Sequence, residues 1–230
     1  YNEIHNLYDR MEHLSDYTKG YLQGIMQAQM KVYGYYFIEE LLSKEIIEDM
    51  QHSLPLQPGT DSVETVEWLF AHYVIARKIA NLERTSLLKS ASEHFNTKLF
   101  TPNPTPELPL IHNMGSVDYQ RQMPYVFKNS AINLNISLRS IRSGIPLRCF
   151  DIMGCGGFLL SNYQGDFYEH FVPGEDLVLF ESQEDFLNKC DYYLKHDNER
   201  RQIAANGYGK VKEFHSYEVR LKEIFEVVFA

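Results

Sequence analysis

The residues from Asn133 to Asn162, NLNISLRSIRSGIPLRCFDIMGCGGFLLSN, constrain the fold of this chain more than any other stretch. A short β-prone run is followed by a Ser/Gly-bearing turn, a proline able to open a helix, an acid one turn later, and a glycine-rich exit into a second apolar run. That order predicts strand, loop, helix, strand. In an open parallel α/β sheet the loop leaving such a strand lies at its carboxyl end, where N–H groups at the helix start can hold a phosphate.

The rest of the chain fits a sheet covered by helices. Apolar residues at three- and four-residue steps predict an amphipathic helix from Ile4 to Met30, with Gly20 as an interruption, and a second one carrying Ile38 to Met50. SLPLQPGTDS (53–62) cannot continue a helix and marks a boundary. Asp61 and Glu64 read as a capping box for a long helix through Phe95. The expected organisation is a helical segment over 1–60 and an α/β domain over 61–230, which the resemblance described below makes Rossmann-like.

Within that domain short strands are expected at 98–100, 110–112, 131–136, 157–160 and 177–180. Helices are expected at 123–130, 146–154 and 166–171, the first two opened by Pro124 and Pro146. TPNPTPELP (101–109) is an extended loop. Strands separated by helices predict a parallel sheet with helices on both faces. The tail reads as helices capped by Ser182, Asp197 and Ser216, with a stop at Asn206-Gly207.

Composition removes several functions. With 22 Lys and Arg against 31 Asp and Glu the net charge is -9, which offers no broad attraction to nucleic acid or anionic lipid. Any phosphate site is therefore local. The 3 cysteines form no CxxC pair and no disulfide framework, which fits a reducing cytoplasm. No apolar run approaches the ~18 residues needed to span a bilayer. The chain begins at Tyr1, not Met, which suggests excision from a longer protein. No GxxxxGK[ST], HExxH or GxSxG motif occurs, and no two aspartates stand two positions apart as a DxD metal site requires. No metal site is expected.

The 143–157 segment carries the remaining chemistry. Pro146 at the first helical position would leave the N–H groups of Leu147, Arg148 and Cys149 as anion donors. Arg148 can add a guanidinium fork. Asp151 lies where a carboxylate can accept two ribose hydroxyls, although a first-turn acid on the helix dipole is the plainer reading. Asn133 and Asn135 suit either a ligand or the strand end, and Ser143 suits a turn. Tyr33, Tyr35, Tyr36 and Phe37 suggest packing or a sugar-stacking surface. Glu175, Asp176 and Glu181 read as solvent-facing, and His112 and His215 as structural groups.

SAINLNISLRSIRSGIPLRCFDIMGCGGFLLSNYQ, with GSVDYQRQMP upstream and GEDLVLFES, YYLKHDNERRQIAANGY and FHSY downstream, resembles the C-terminal half of the CgeB-type, spore-maturation-type glycosyltransferases of bacteria. The likeness runs over roughly 110–225 and is weaker over 1–100. It implies the C-terminal domain of a GT-B fold, in which two Rossmann-like domains face a cleft, with the N-terminal one missing here. More remotely, the segment is similar to GT-B enzymes whose donor domain carries two acids eight positions apart.

On that resemblance Asp151 is the ribose-binding acid, and Ser143 departs from the acid expected to touch the donor sugar. Gly144 to Leu147, including Pro146, match the stretch that holds sugar and phosphate, and Gly115 to Val117 the loop that covers the base. The implied activity is metal-independent transfer from a nucleotide-diphosphate sugar to an unknown acceptor, without a separate cofactor and with the catalytic base unassigned. A non-catalytic nucleotide or sugar-phosphate binding module is the alternative that Ser143 keeps open.

Overall fold

The computed structural model describes residues 6–229. Its contacts divide the chain into two compact units. The first runs through Ser116 and takes in Leu138–Arg142; the second holds Val117–Ser137 and everything from Ser143 onward. The 60/61 division expected from composition lies within the first unit, between its third and fourth helices.

The first unit is mainly helical. A 3-10 turn at Leu7–Arg10 precedes α1 (Asp16–Lys31), whose start is set by Ser15: its hydroxyl accepts from the Thr18 N–H at 3.2 Å and donates to Asp49 at 2.7 Å. The single helix expected from Ile4 is thus two elements, and Ile4 itself lies outside the described residues. Gly20 does not interrupt α1. The second expected helix is also two, α2 (Ile38–Leu41) and α3 (Lys44–Ser53), because Ser43 caps a fresh start by accepting from the Ile46 N–H.

The next helix begins later than the Asp61/Glu64 pattern predicts. Thr65, with extended backbone, accepts from the Trp68 N–H at 3.1 Å and opens α4 (Val66–Trp68). A π-helical segment, Leu69–Ile75, then runs into α5 (Ala76–His94). Leu22, Ile38, Met50, Phe70 and Ile79 are fully buried in one core, each contributing roughly 1.5–3 kcal/mol of apolar burial. Two short parallel strands, β1 (Lys98–Leu99) and β2 (His112–Asn113), follow.

The excursion Leu138–Arg142 joins this unit through a buried ion pair. Arg139 donates from Nε to Glu83 Oε2 at 3.1 Å and from a terminal nitrogen to Oε1 at 2.5 Å, with side chains only 4% and 5% exposed. The guanidinium also lies 3.3 Å from the Tyr33 ring centre. Burial pushes the Glu83 carboxyl up, and the Arg139 charge pulls it back. Tyr33 is therefore a packing platform, while Tyr36 is buried with its hydroxyl donating to the Ala71 carbonyl.

The second unit is mixed α/β. A three-stranded parallel sheet in the order β3-β4-β5 is built from β3 (Asn133–Asn135), β4 (Leu159–Asn162) and β5 (Val178–Phe180). Asn133 pairs with Leu159, and Leu160 with Val178. Every residue of β4 and β5 is buried, as expected of parallel strands packed on both sides. The helices are α6 (Met123–Asn129), α7 (Leu147–Gly154), α8 (Phe167–His170), α9 (Gln183–Lys195), α10 (Asp197–Phe214) and α11 (Tyr217–Val228).

Ser182 and Ser216 cap α9 and α11 as expected, but Asp197 is the first residue of α10, not its cap. Asn206-Gly207 does not end α10 either. A Cβ on Gly207 would stand 2.4 Å from the Asp176 carbonyl oxygen and 3.2 Å from Met153 Sδ, so the glycine permits close packing inside the helix. Asp176 is buried and accepts from the Val172 N–H, correcting its reading as a solvent-facing acid. Among the described residues no helix is long and apolar enough to cross a membrane.

Candidate functional site

The carboxyl ends of β3 and β4 meet in a layer of short polar side chains. Asn135 donates to the hydroxyls of Ser137 and Ser161, both at 3.0 Å. Asn162 accepts from the Ser137 N–H at 2.8 Å and donates to the Ser137 carbonyl at 3.0 Å, so its amide replaces a further rung of the ladder. Asn133 donates to the Phe127 and Phe158 carbonyls. The strand asparagines hold the frame, their amides satisfied within the protein.

From that frame the chain returns at Ser143 to enter α7. Gly144 has φ +99, a left-handed conformation that other residues adopt only with strain. Pro146 occupies the cap position, not the first helical one, and Leu147 begins α7. One consequence departs from the sequence reading: the Cys149 N–H is taken by the Pro146 carbonyl at 2.9 Å. The N–H groups of Leu147 and Arg148 remain as the helix-start donors. Leu147 is 75% exposed, and Arg148 is exposed with no hydrogen bond or ion pair among the described residues.

The far end of α7 is closed by a glycine cap. The Gly156 N–H reaches the Met153 carbonyl at 2.8 Å and the Gly157 N–H the Ile152 carbonyl at 2.9 Å, with Gly156 at φ +75. This is the paired arrangement by which a left-handed residue satisfies the last carbonyls of a helix. The inner face of α7 buries Cys149, Ile152 and Met153 against Leu159, Leu177 and Val211. That leaves Arg148 and Asp151 off the buried stripe.

Asp151 is half-buried and is engaged by the Tyr119 hydroxyl, which donates to its Oδ2. Tyr119 is held by the turn before α6, where Asp118 Oδ1 accepts from the N–H groups of Gln120 and Arg121. Burial and the Asp151 hydrogen bond push the Tyr119 phenol up to about 12, so it stays a donor at neutral pH. The half-buried Val117 begins this unit.

At the other end of the turn, Asp166 and Gln164 close on the Ser143–Gly144 backbone. Asp166 Oδ2 accepts from the Ser143 hydroxyl at 3.1 Å and from the Gly144 N–H at 2.5 Å. Gln164 donates from Nε2 to the Gly144 carbonyl. Val117, Ser143, Gly144, Pro146, Leu147, Arg148 and Asp151 all belong to the second unit. Gly115, at φ +73, belongs to the first unit and donates its N–H to Asn113 Oδ1 at 2.9 Å.

Sequence reasoning missed Tyr119, Gln164 and Asp166. The available signal was topological: loops leaving adjacent parallel strands share the same sheet edge, so the residues after β4 belong beside those after β3. His215 is a packing group, as expected. It accepts from Arg220 at Nδ1, and burial pushes its imidazole down to about 4. Among the described residues no group of three or more His, Cys, Asp or Glu is placed to hold a metal ion.

Helix-start N–H groups, the exposed Arg148 and the half-buried Asp151 are thus grouped on the first turns of α7. No curated protein matches the chain. A family model described as "Glycosyl transferase-like" matches residues 77–226, most of the sequence, and the chain belongs to that glycosyltransferase-like family.

Proposed function

We propose that this chain is the donor-binding part of a GT-B-type glycosyltransferase of the CgeB kind, and that it takes a nucleotide-diphosphate sugar. The carrying observation is the start of α7 after Pro146, where among the described residues the Leu147 and Arg148 N–H groups and the exposed Arg148 guanidinium have no hydrogen-bond partner. Family membership supplies the reaction class. A diphosphate that meets these donors gains its strongest hydrogen bonds as negative charge builds on the leaving group, and this is the interaction that speeds transfer. Asp151 takes the ribose hydroxyls, exchanging the Tyr119 hydroxyl for them. The acceptor and the base that removes its proton come from outside this set of residues, and no step requires a metal.

Calorimetric titration with UDP, GDP, ADP and dTDP, alone and as hexose conjugates, tests the reading. Saturable binding of one nucleotide, weakened at least tenfold by Asp151→Ala and by Arg148→Ala in folded protein, is the expected result. Binding untouched by either substitution defeats it. A second reading, a non-catalytic sugar-phosphate module, draws on Ser143 standing where the resemblance expects an acid. Donor turnover separates the two, because a module binds the sugar nucleotide without releasing the nucleoside diphosphate.

A further inference from the structure

Gln164 is only 5% exposed, and among the described residues its buried Oε1 has no hydrogen-bond partner, while the Nε2 of the same amide donates to the Gly144 carbonyl. That bond fixes the orientation, since a flipped amide would set two carbonyl oxygens against each other. The open oxygen therefore lies at the Ser143–Gly144 turn, about two ångströms from a nitrogen already in contact with it. A buried acceptor left bare is costly and calls for a donor.

Asp166 shows the same division of labour. One carboxylate oxygen, Oδ2, takes both the Ser143 hydroxyl and the Gly144 N–H, and Oδ1 has no hydrogen bond among the described residues. Both side chains come from the loop between β4 and α8, and each spends one polar atom on the turn while the other has no hydrogen bond among the described residues. All the open atoms are acceptors. They suit a ligand rich in hydroxyl donors and repel a phosphate, which belongs with the Leu147 and Arg148 N–H groups three and four residues beyond Gly144.

Resting on the donor-site reading above, we propose that Gln164 and Asp166 are the hydroxyl-reading residues of that site, accepting hydrogen bonds from the hexose of the sugar nucleotide through Oε1 and Oδ1. Asp166 thereby supplies beside Ser143 the carboxylate that Ser143 lacks. The two residues determine sugar recognition, and the nucleotide end is held elsewhere.

The test compares each nucleoside diphosphate with its hexose conjugate on the 230-residue chain, in wild type, Gln164→Met and Asp166→Asn, with thermal melting as the check on folding. The expected result is a loss of about tenfold in affinity for the conjugate, with affinity for the bare nucleoside diphosphate changed less than about threefold in the same variant. Loosening of the turn alone would weaken both ligands together, because the phosphate donors lie only three and four residues beyond Gly144. Equal losses, or none, in the variant that folds overturn the proposal and leave the donor site standing. Failure of every nucleotide to bind wild-type protein overturns the donor reading, and this proposal with it. Asp166→Asn keeps the shape of the side chain and serves where Gln164→Met does not fold.

Discussion

The Tyr119 hydroxyl donates to Asp151 Oδ2, so the carboxylate assigned to the ribose already has a hydroxyl on one oxygen. A ribose must either displace that contact or share the carboxylate with it. Tyr119→Phe keeps the ring and removes the competitor. Nucleoside diphosphate affinity is expected to rise about threefold, the size of one neutral hydrogen bond exchanged for another. Calorimetry on the single variant decides this, and a fall in affinity would assign the hydroxyl to the ligand instead.

Glu83 and Arg139 predict a large asymmetry between breaking a pair and removing it. Arg139→Met leaves a buried carboxylate without its counter-charge and is expected to lower the unfolding free energy by about 3–5 kcal/mol. Pairing it with Glu83→Leu removes the stranded charge and should recover most of that loss. Denaturant unfolding of the three proteins reads the effect; equal destabilisation by single and double variants would contradict it.

His215 sets a pH dependence. Its imidazole is held down to about 4 from an ordinary 6.5, by burial first and then by Arg220, His170 and Lys210, with Glu223 opposing. Between those values the unfolded chain binds a proton that the folded chain refuses, so stability falls as pH drops from about 6.5 towards 4. His215→Asn should flatten that slope. Melting temperatures of both proteins across the window check it, and parallel slopes would remove His215 as the cause.

Two glycines of α10 make a matched pair. Gly207→Ala forces a Cβ to within 2.4 Å of the Asp176 carbonyl, whereas Gly209 has nothing within 4 Å. The first change is expected to cost about 1–3 kcal/mol through displaced packing. The second should stabilise by about 0.5–1 kcal/mol, since alanine loses less backbone freedom in a helix. Thermal melts of the two variants should move in opposite directions.

What the sequence disclosed follows from the range of the forces involved. The strand–turn–helix–strand at 133–162 was legible because alternation, a proline and a glycine cap are local signals, and β3, α7 and β4 stand within two residues of their expected positions. Start signals were less secure. Asp61 with Glu64 has the spacing of a cap, yet Thr65 carries the hydrogen bond, since side-chain geometry chooses between neighbouring polar residues. Gly207 misled because a glycine that ends a helix and one that admits a close neighbour look alike in sequence. Gln164, Asp166 and Tyr119 were invisible because their partners lie 20, 22 and 32 residues away.

The excursion of Leu138–Arg142 bears on the order in which this chain can be built. Glu83 and Arg139 are separated by 56 residues, and β3 lies between them in the sequence. During synthesis from the N-terminus, the first unit emerges with an acid in its interior whose counter-ion is still unmade. Until the ribosome has passed Arg139, that carboxyl must stay hydrated or protonated. Completion of the helical unit therefore waits for the first strand of the α/β unit. A cut at Ser116 separates the two in sequence but leaves the helical fragment with its acid unmatched.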